Sequence, residues 1–118
     1  MERVKKVREI KFRAWDDKAK AMISADNLAF ETYLPLWMQF KGSTLQFMQY
    51  TGLDDDSNKE IYEGDILYFE EESEFLGYVY FQDGCFYVSG VNEPLHEWNM
   101  ACRVEGNIYE DAERYRRL

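Results

Sequence analysis

The densest run of oxygen-bearing side chains in the sequence is Asp54-Asp55-Asp56-Ser57-Asn58-Lys59, followed shortly by Glu63-Gly64-Asp65. Asp54, Asp56, Asn58 and Asp65 fall at positions 1, 3, 5 and 12 of a calcium loop, with the oxygen ligands that hard cations prefer. The match fails where geometry decides. Position 6 needs glycine for its sharp turn and is Lys59, and position 12 is Asp in place of the bidentate Glu. A solvated hairpin tip is the better reading, and no metal or other cofactor is expected. Glu63 and Asp65 invite a second chemistry, because residues two apart on a strand share a face and paired acids serve nucleases and hydrolases. No lysine follows at nuclease-like spacing, and the single histidine, His96, has no serine or cysteine in a nucleophile-elbow or protease-like context. Catalysis is therefore not expected, and Asp65 is read as a carboxylate that satisfies backbone donors in the turn before a strand. Cys85, His96 and Cys102 are separated by 11 and 6 residues, which matches no zinc pattern. Two cysteines are too few for a disulfide scaffold, so both are read as small core residues, and His96 beside Trp98 as half-buried packing.

Binding is the remaining chemistry. Tyr50, Tyr62, Tyr68 and Tyr109 stand among acidic residues, a combination found at protein interfaces, although most aromatics of a small β protein must fill its core. The candidate binding set is Tyr50, Asp54, Asp55, Asp56, Tyr62, Glu63, Asp65 and Tyr109. Charge points the same way. With 14 basic and 23 acidic residues the chain carries −9, which repels a phosphate backbone and disfavours non-specific DNA binding. The balance is uneven: residues 1–20 hold eight basic and four acidic side chains, net +4, and the remainder holds six and nineteen, net −13. The basic segment lies beside acidic strands of its own body or of a neighbouring subunit, or, in the alternative reading, binds nucleic acid through Arg3 to Arg13. The acidic runs Asp54 to Asp56 and Glu70 to Glu74 favour a basic protein partner. Homo-oligomerisation is expected.

The elements that must position these residues are mostly strands. The chain has the size of one domain, and an aromatic share of 17% favours pleated surfaces. No apolar run approaches the ~20 residues of a membrane helix, and the first residues lack the apolar stretch of a signal peptide, so a cytoplasmic protein is expected. Lys11 to Trp15 and Ala21 to Ile23 read as a hairpin with its loop at Asp16 to Lys20. Residues 24–46 carry no clean period, and Pro35 breaks any long helix; a short helix or strand pair, then a loop at Lys41-Gly42-Ser43, is expected. A strand over Leu45 to Tyr50 ends in a turn at Gly52. Asn58 suits a left-handed position at the acidic tip, Glu63-Gly64-Asp65 forms a turn or bulge, and Ile66 to Phe69 reads as a buried strand before an exposed acidic loop at Glu70 to Glu74. Phe75 to Phe81 and Cys85 to Val88 flank Asp83-Gly84, a strong hairpin signal. Leu95 to Met100 reads as one helical turn, Ala101 to Val104 as a closing strand, and residues 110–118, acids first and bases last, as a short helix. Short strands at this spacing suggest a small barrel or sandwich.

Three blocks carry a likeness to a known family: Arg8 to Asp16, Met48 to Leu53 with Ile61 to Ile66, and Gly106 to Glu110. In order and spacing the chain resembles the YopX family, whose relatives are encoded mainly by phages and prophages. The resemblance implies an α+β, mostly β fold: an N-terminal hairpin lobe over residues 1–47, an SH3-like β-barrel over 48–109 and a terminal helix over 110–118. It brings no catalytic residues and an uncharacterised role. Relatives tend to carry a Lys-Asn-Gly-Lys kind of turn where this chain has Asp56-Ser57-Asn58-Lys59, and Asn58 is expected to keep the hairpin.

Overall fold

A computed structural model describes residues 9–30, 45–70 and 74–118. The expected loop at Lys41-Gly42-Ser43 lies outside them. Among the described residues, eight strands and two short helices follow in order: β1 (Phe12–Asp16), β2 (Ala21–Ile23), α1 (Ala25–Phe30), β3 (Leu45–Asp54), β4 (Glu60–Tyr62), β5 (Asp65–Glu70), β6 (Glu74–Gln82), β7 (Cys85–Val88), β8 (Cys102–Asn107) and α2 (Ala112–Arg116). The fold is mostly β. No helix among the described residues is long and apolar enough to cross a membrane.

The strands form two antiparallel four-stranded sheets, ordered β2-β1-β3-β4 and β7-β6-β5-β8. Turn chemistry explains the connections. Asp16 Oδ1 accepts the N–H groups of Lys18 and Ala19 at 3.0 and 3.2 Å, closing the β1–β2 hairpin. Asp83 and Gly84 both hold positive φ, 52° and 83°, the backbone that a two-residue loop needs to match strand twist. Asn58, at φ 64°, takes the left-handed position expected of it.

Several boundaries differ from expectation. β3 runs on past Tyr50 to Asp54, because Gly52, at φ 83°, forms a bulge that shifts the register against β4 and lets pairing resume. Glu70 and Glu74 are strand residues paired across β5 and β6, not members of a loop. The single helical turn over Leu95 to Met100 is two 3-10 turns, Leu95–Glu97 and Asn99–Ala101, and the closing strand extends to Asn107. Residues 25–30 form a helix, with Ser24 Oγ accepting the Asn27 N–H at 3.3 Å.

The core gathers Ile61, Leu67, Phe69, Val79, Val88, Leu95 and Cys102 beneath the second sheet. Gly77 is there because a Cβ would stand 2.6 Å from Val88 Cγ1 and 2.8 Å from the Ser89 carbonyl. Burial pushes the Cys102 thiol up to about 12, in keeping with its place as a core residue; Cys85 is half-buried.

Candidate functional site

The candidate residues separate into carboxylates that build the fold and tyrosines that face opposite ways. Asp65 opens β5 and is 1% exposed. Its Oδ1 accepts Arg13 Nη2 at 2.6 Å, and its Oδ2 accepts the Tyr62 N–H at 2.7 Å. Burial raises the carboxyl above its ordinary value, and the Arg13 charge and Tyr62 N–H offset this only in part. Gly64 supplies the preceding turn at φ 85°, with its N–H on the Val79 carbonyl and its own carbonyl accepting the Ile108 N–H, both at 2.9 Å. Glu63 is half-buried and accepts the Gln49 N–H at 3.2 Å. Glu63-Gly64-Asp65 is thus a junction bonded to β1, β3, β4 and β6, and Asp65 satisfies a backbone donor as its sequence context indicates.

The acidic tip is not uniformly solvated. Asp56 is exposed, but Asp55 is 2% exposed and accepts three backbone N–H groups, from Ser57 and Lys59 on Oδ1 at 2.8 and 2.9 Å and from Val104 on Oδ2 at 2.9 Å. Burial alone would raise its carboxyl; the three donors outweigh that and hold it below the usual range. Asp54 accepts the Tyr50 hydroxyl at 2.7 Å. Asp54, Asp56, Asn58 and Asp65 do not converge, since Asp54 is turned to Tyr50 and Asp65 to Arg13.

Tyr50 and Tyr62, each 7% exposed, pack together with ring centroids 5.5 Å apart, which corrects the expectation that they present a surface. Burial is the main cause that raises both phenols. Each ring carries a cation: Lys11 Nζ lies 4.9 Å from the Tyr50 centroid and pairs with Glu60, and the Arg13 guanidinium lies 4.7 Å from that of Tyr62. Hydrogen bonding to Glu60 raises the Lys11 ammonium above its ordinary value. Lys11, Arg13, Glu60 and Tyr62 border a cavity of about 340 Å³ that Ser24 and Asp26 also line. Tyr109 is half-buried and stacks on Trp15 at 6.0 Å.

A different set of tyrosines lies on the side of the second sheet away from the core, Tyr68, Tyr78, Tyr80 and Tyr87 half-buried and Tyr115 exposed. Alternation along β6 sends Val79 into the core and Tyr78 and Tyr80 to the opposite side, and Tyr80 pairs across with Tyr87 of β7. Tyr80 and Tyr87 stack at 5.9 Å, Tyr78 lies 6.0 Å from Tyr80, and Tyr115 of α2 meets Tyr78 edge-on at 5.1 Å. Tyr68 and Arg103 continue the surface across β5 and β8, with the guanidinium 5.3 Å from the ring centroid and 3.7 Å from Glu70.

The family model described as YopX protein matches residues 11–115. The chain belongs to the YopX family. The crystal structure of protein EF1440 from Enterococcus faecalis is similar in fold, with a TM-score of 0.70 at 22% identity, covering 92% of this chain and 99% of that one. No curated protein matches the chain.

Two features of this YopX-family chain escaped the reading of its sequence. The outward tyrosines were within reach of it, since Asp83-Gly84 as a two-residue loop sets Tyr80 opposite Tyr87, and i, i+2 spacing joins Tyr78 to Tyr80. The second is a groove of about 240 Å³ in which Cys85 and His96 meet Leu53, Phe86 and Leu95. His96 is exposed at its rim rather than half-buried. Nothing local in the sequence signals that meeting, because it depends on how the 3-10 turns pack beside β7.

Proposed function

We propose that this protein is a non-enzymatic module for binding other proteins, an accessory of phage or prophage origin that favours a basic partner. The observation that carries the reading is the outward surface of Tyr68, Tyr78, Tyr80, Tyr87 and Tyr115, because clustered tyrosines combine a large apolar area with low side-chain entropy. The net charge of −9 supplies the preference for basic partners. Its body is read as an SH3-like barrel, supported by the β5-β6-β7 meander, the 3-10 turns after it, and the return of β8 beside β5. Cytoplasmic location and self-association belong to the same reading.

The alternative, a nucleic-acid-binding module, rests on the basic segment Arg3 to Arg13. It is the weaker reading because Lys11 and Arg13 already hold Glu60 and Asp65. Arg3, Lys5, Lys6 and Arg8 lie outside the described residues. Pull-down from a host lysate across a salt titration tests the leading proposal: a partner retained at low ionic strength and released by salt is expected, and recovery of none overturns it. Salt-sensitive anisotropy with labelled oligonucleotides, lost on neutralising Arg3, Lys5, Lys6 and Arg8, would favour the alternative.

A further inference from the structure

Three cations in this fold are held in the same way. Lys11 stands over Tyr50 and pairs with Glu60; Arg13 stands over Tyr62 and pairs with Asp65; Arg103 stands over Tyr68 and pairs with Glu70. In each case a ring face and a carboxylate take the same cation from two sides, so its charge is met without full hydration. The third example lies on the outward surface of the second sheet. There Tyr78, Tyr80, Tyr87 and Tyr115 extend the row begun by Tyr68, and among the described residues no cation lies over these four rings.

A second observation points to the same missing charge. Glu70 and Glu74 are exposed and directly opposed across β5 and β6, a like-charge pair that disfavours the sheet unless a cation lies between or beside them. Arg103 pairs with Glu70 at 3.7 Å, while Glu74 takes a hydrogen bond from Tyr68 in place of a cation.

We infer that the outward surface formed by Tyr68, Tyr78, Tyr80 and Tyr87, with Glu70 and Glu74 at one end, docks an arginine-bearing segment of a partner protein. The inference rests on the protein-binding reading above and specifies its surface and partner chemistry. Guanidinium groups stack on Tyr78, Tyr80 and Tyr87 as Arg103 does on Tyr68, and one pairs with the two glutamates. Arginine suits the surface better than lysine, since a planar, weakly hydrated guanidinium stacks on a ring and binds a carboxylate at once. Nucleic acid suits it less: bases stack on tyrosine, but their phosphates meet the acidic surroundings of a chain carrying −9.

Isotope-labelled full-length protein titrated with an arginine-rich peptide at low ionic strength tests the inference by amide chemical shifts. The largest shifts are expected in β5, β6 and β7, with the lysine counterpart of the peptide binding about three- to tenfold more weakly. Tyr80→Ser with Tyr87→Ser is expected to weaken binding by about tenfold, and Glu70→Gln with Glu74→Gln to flatten its salt dependence. The wild-type shift map stands even where the tyrosine variant fails to fold. Shifts centred on another surface, or no peptide binding beside a partner captured from lysate, would overturn the docking surface and leave the protein-binding reading standing. An oligonucleotide that displaces the peptide, or a doubled mass in solution with these tyrosines protected, would overturn the choice of partner.

Discussion

Asp55 and Asp65 are nearly equally buried, at 2% and 1% exposure, yet they are stabilised by different means and do different work. Asp55 is held by three backbone N–H groups, two of them within its own tip, so it fixes the shape of one loop and pins that loop to β8. Asp65 is held by a single backbone N–H and a guanidinium from β1, so it ties the first sheet to the second across a sequence separation of 52 residues. A carboxylate met by fixed dipoles stays easily ionised. One met by a single mobile charge in a dry site depends wholly on that partner.

Removing each group should therefore break the comparison unevenly. Asp65→Ala leaves Arg13 half-buried and without its carboxylate, with its Nε already lacking a partner among the described residues, and is expected to cost about 3 kcal/mol in denaturant unfolding. Replacing both Arg13 and Asp65 by apolar residues should recover much of that loss, because the desolvated charge goes too. Asp55→Ala should cost less, about 2–3 kcal/mol, since the Ser57 and Lys59 N–H groups lie near the solvated tip and only the Val104 donor stays enclosed. Equal losses would show that Arg13 rehydrates on losing its partner.

The glycine before each carboxylate sharpens the contrast. Gly52 and Gly64 hold nearly the same φ, 83° and 85°, but a Cβ at Gly52 meets nothing within 4 Å whereas one at Gly64 meets Met48 Sδ at 3.3 Å. Gly52→Ala is expected to cost about 1 kcal/mol from backbone strain alone, and Gly64→Ala about 2 kcal/mol, measured by thermal unfolding.

The smallest effect is in pH, and it differs in sign. Asp55 is lowered in the folded protein, so its contribution is present above the ordinary carboxylate value of about 4 and is lost as pH falls through the lower folded value. Asp65 is raised, so its contribution is present below about 4 and is lost as pH rises through the folded value. The destabilisation caused by Asp55→Asn should grow between acid and neutral pH, and that caused by Asp65→Asn should shrink. Parallel slopes would mean that Arg13 outweighs burial at Asp65.

Local turn chemistry was legible in the sequence because it needs only a few consecutive residues. Asp83-Gly84, Asn58 and Asp16 each set backbone angles within their own hairpins, and the mostly β character follows from aromatic strands between them. The reading of Asp65 as a donor-satisfying carboxylate came from the same local logic. Tertiary structure alone decided what each residue faces. Arg13 reaches Asp65 only through the β1–β3 pairing, and Tyr50 and Tyr62 are buried while Tyr78 and Tyr80 are half-buried, although all four stand on strands. Strand alternation divides side chains between two faces; which face is buried depends on sheets brought together from distant parts of the chain. The acidic tip shows both limits in two adjacent residues: Asp56 meets water and Asp55 the backbone of β8, where Val104 lies 49 residues away in sequence.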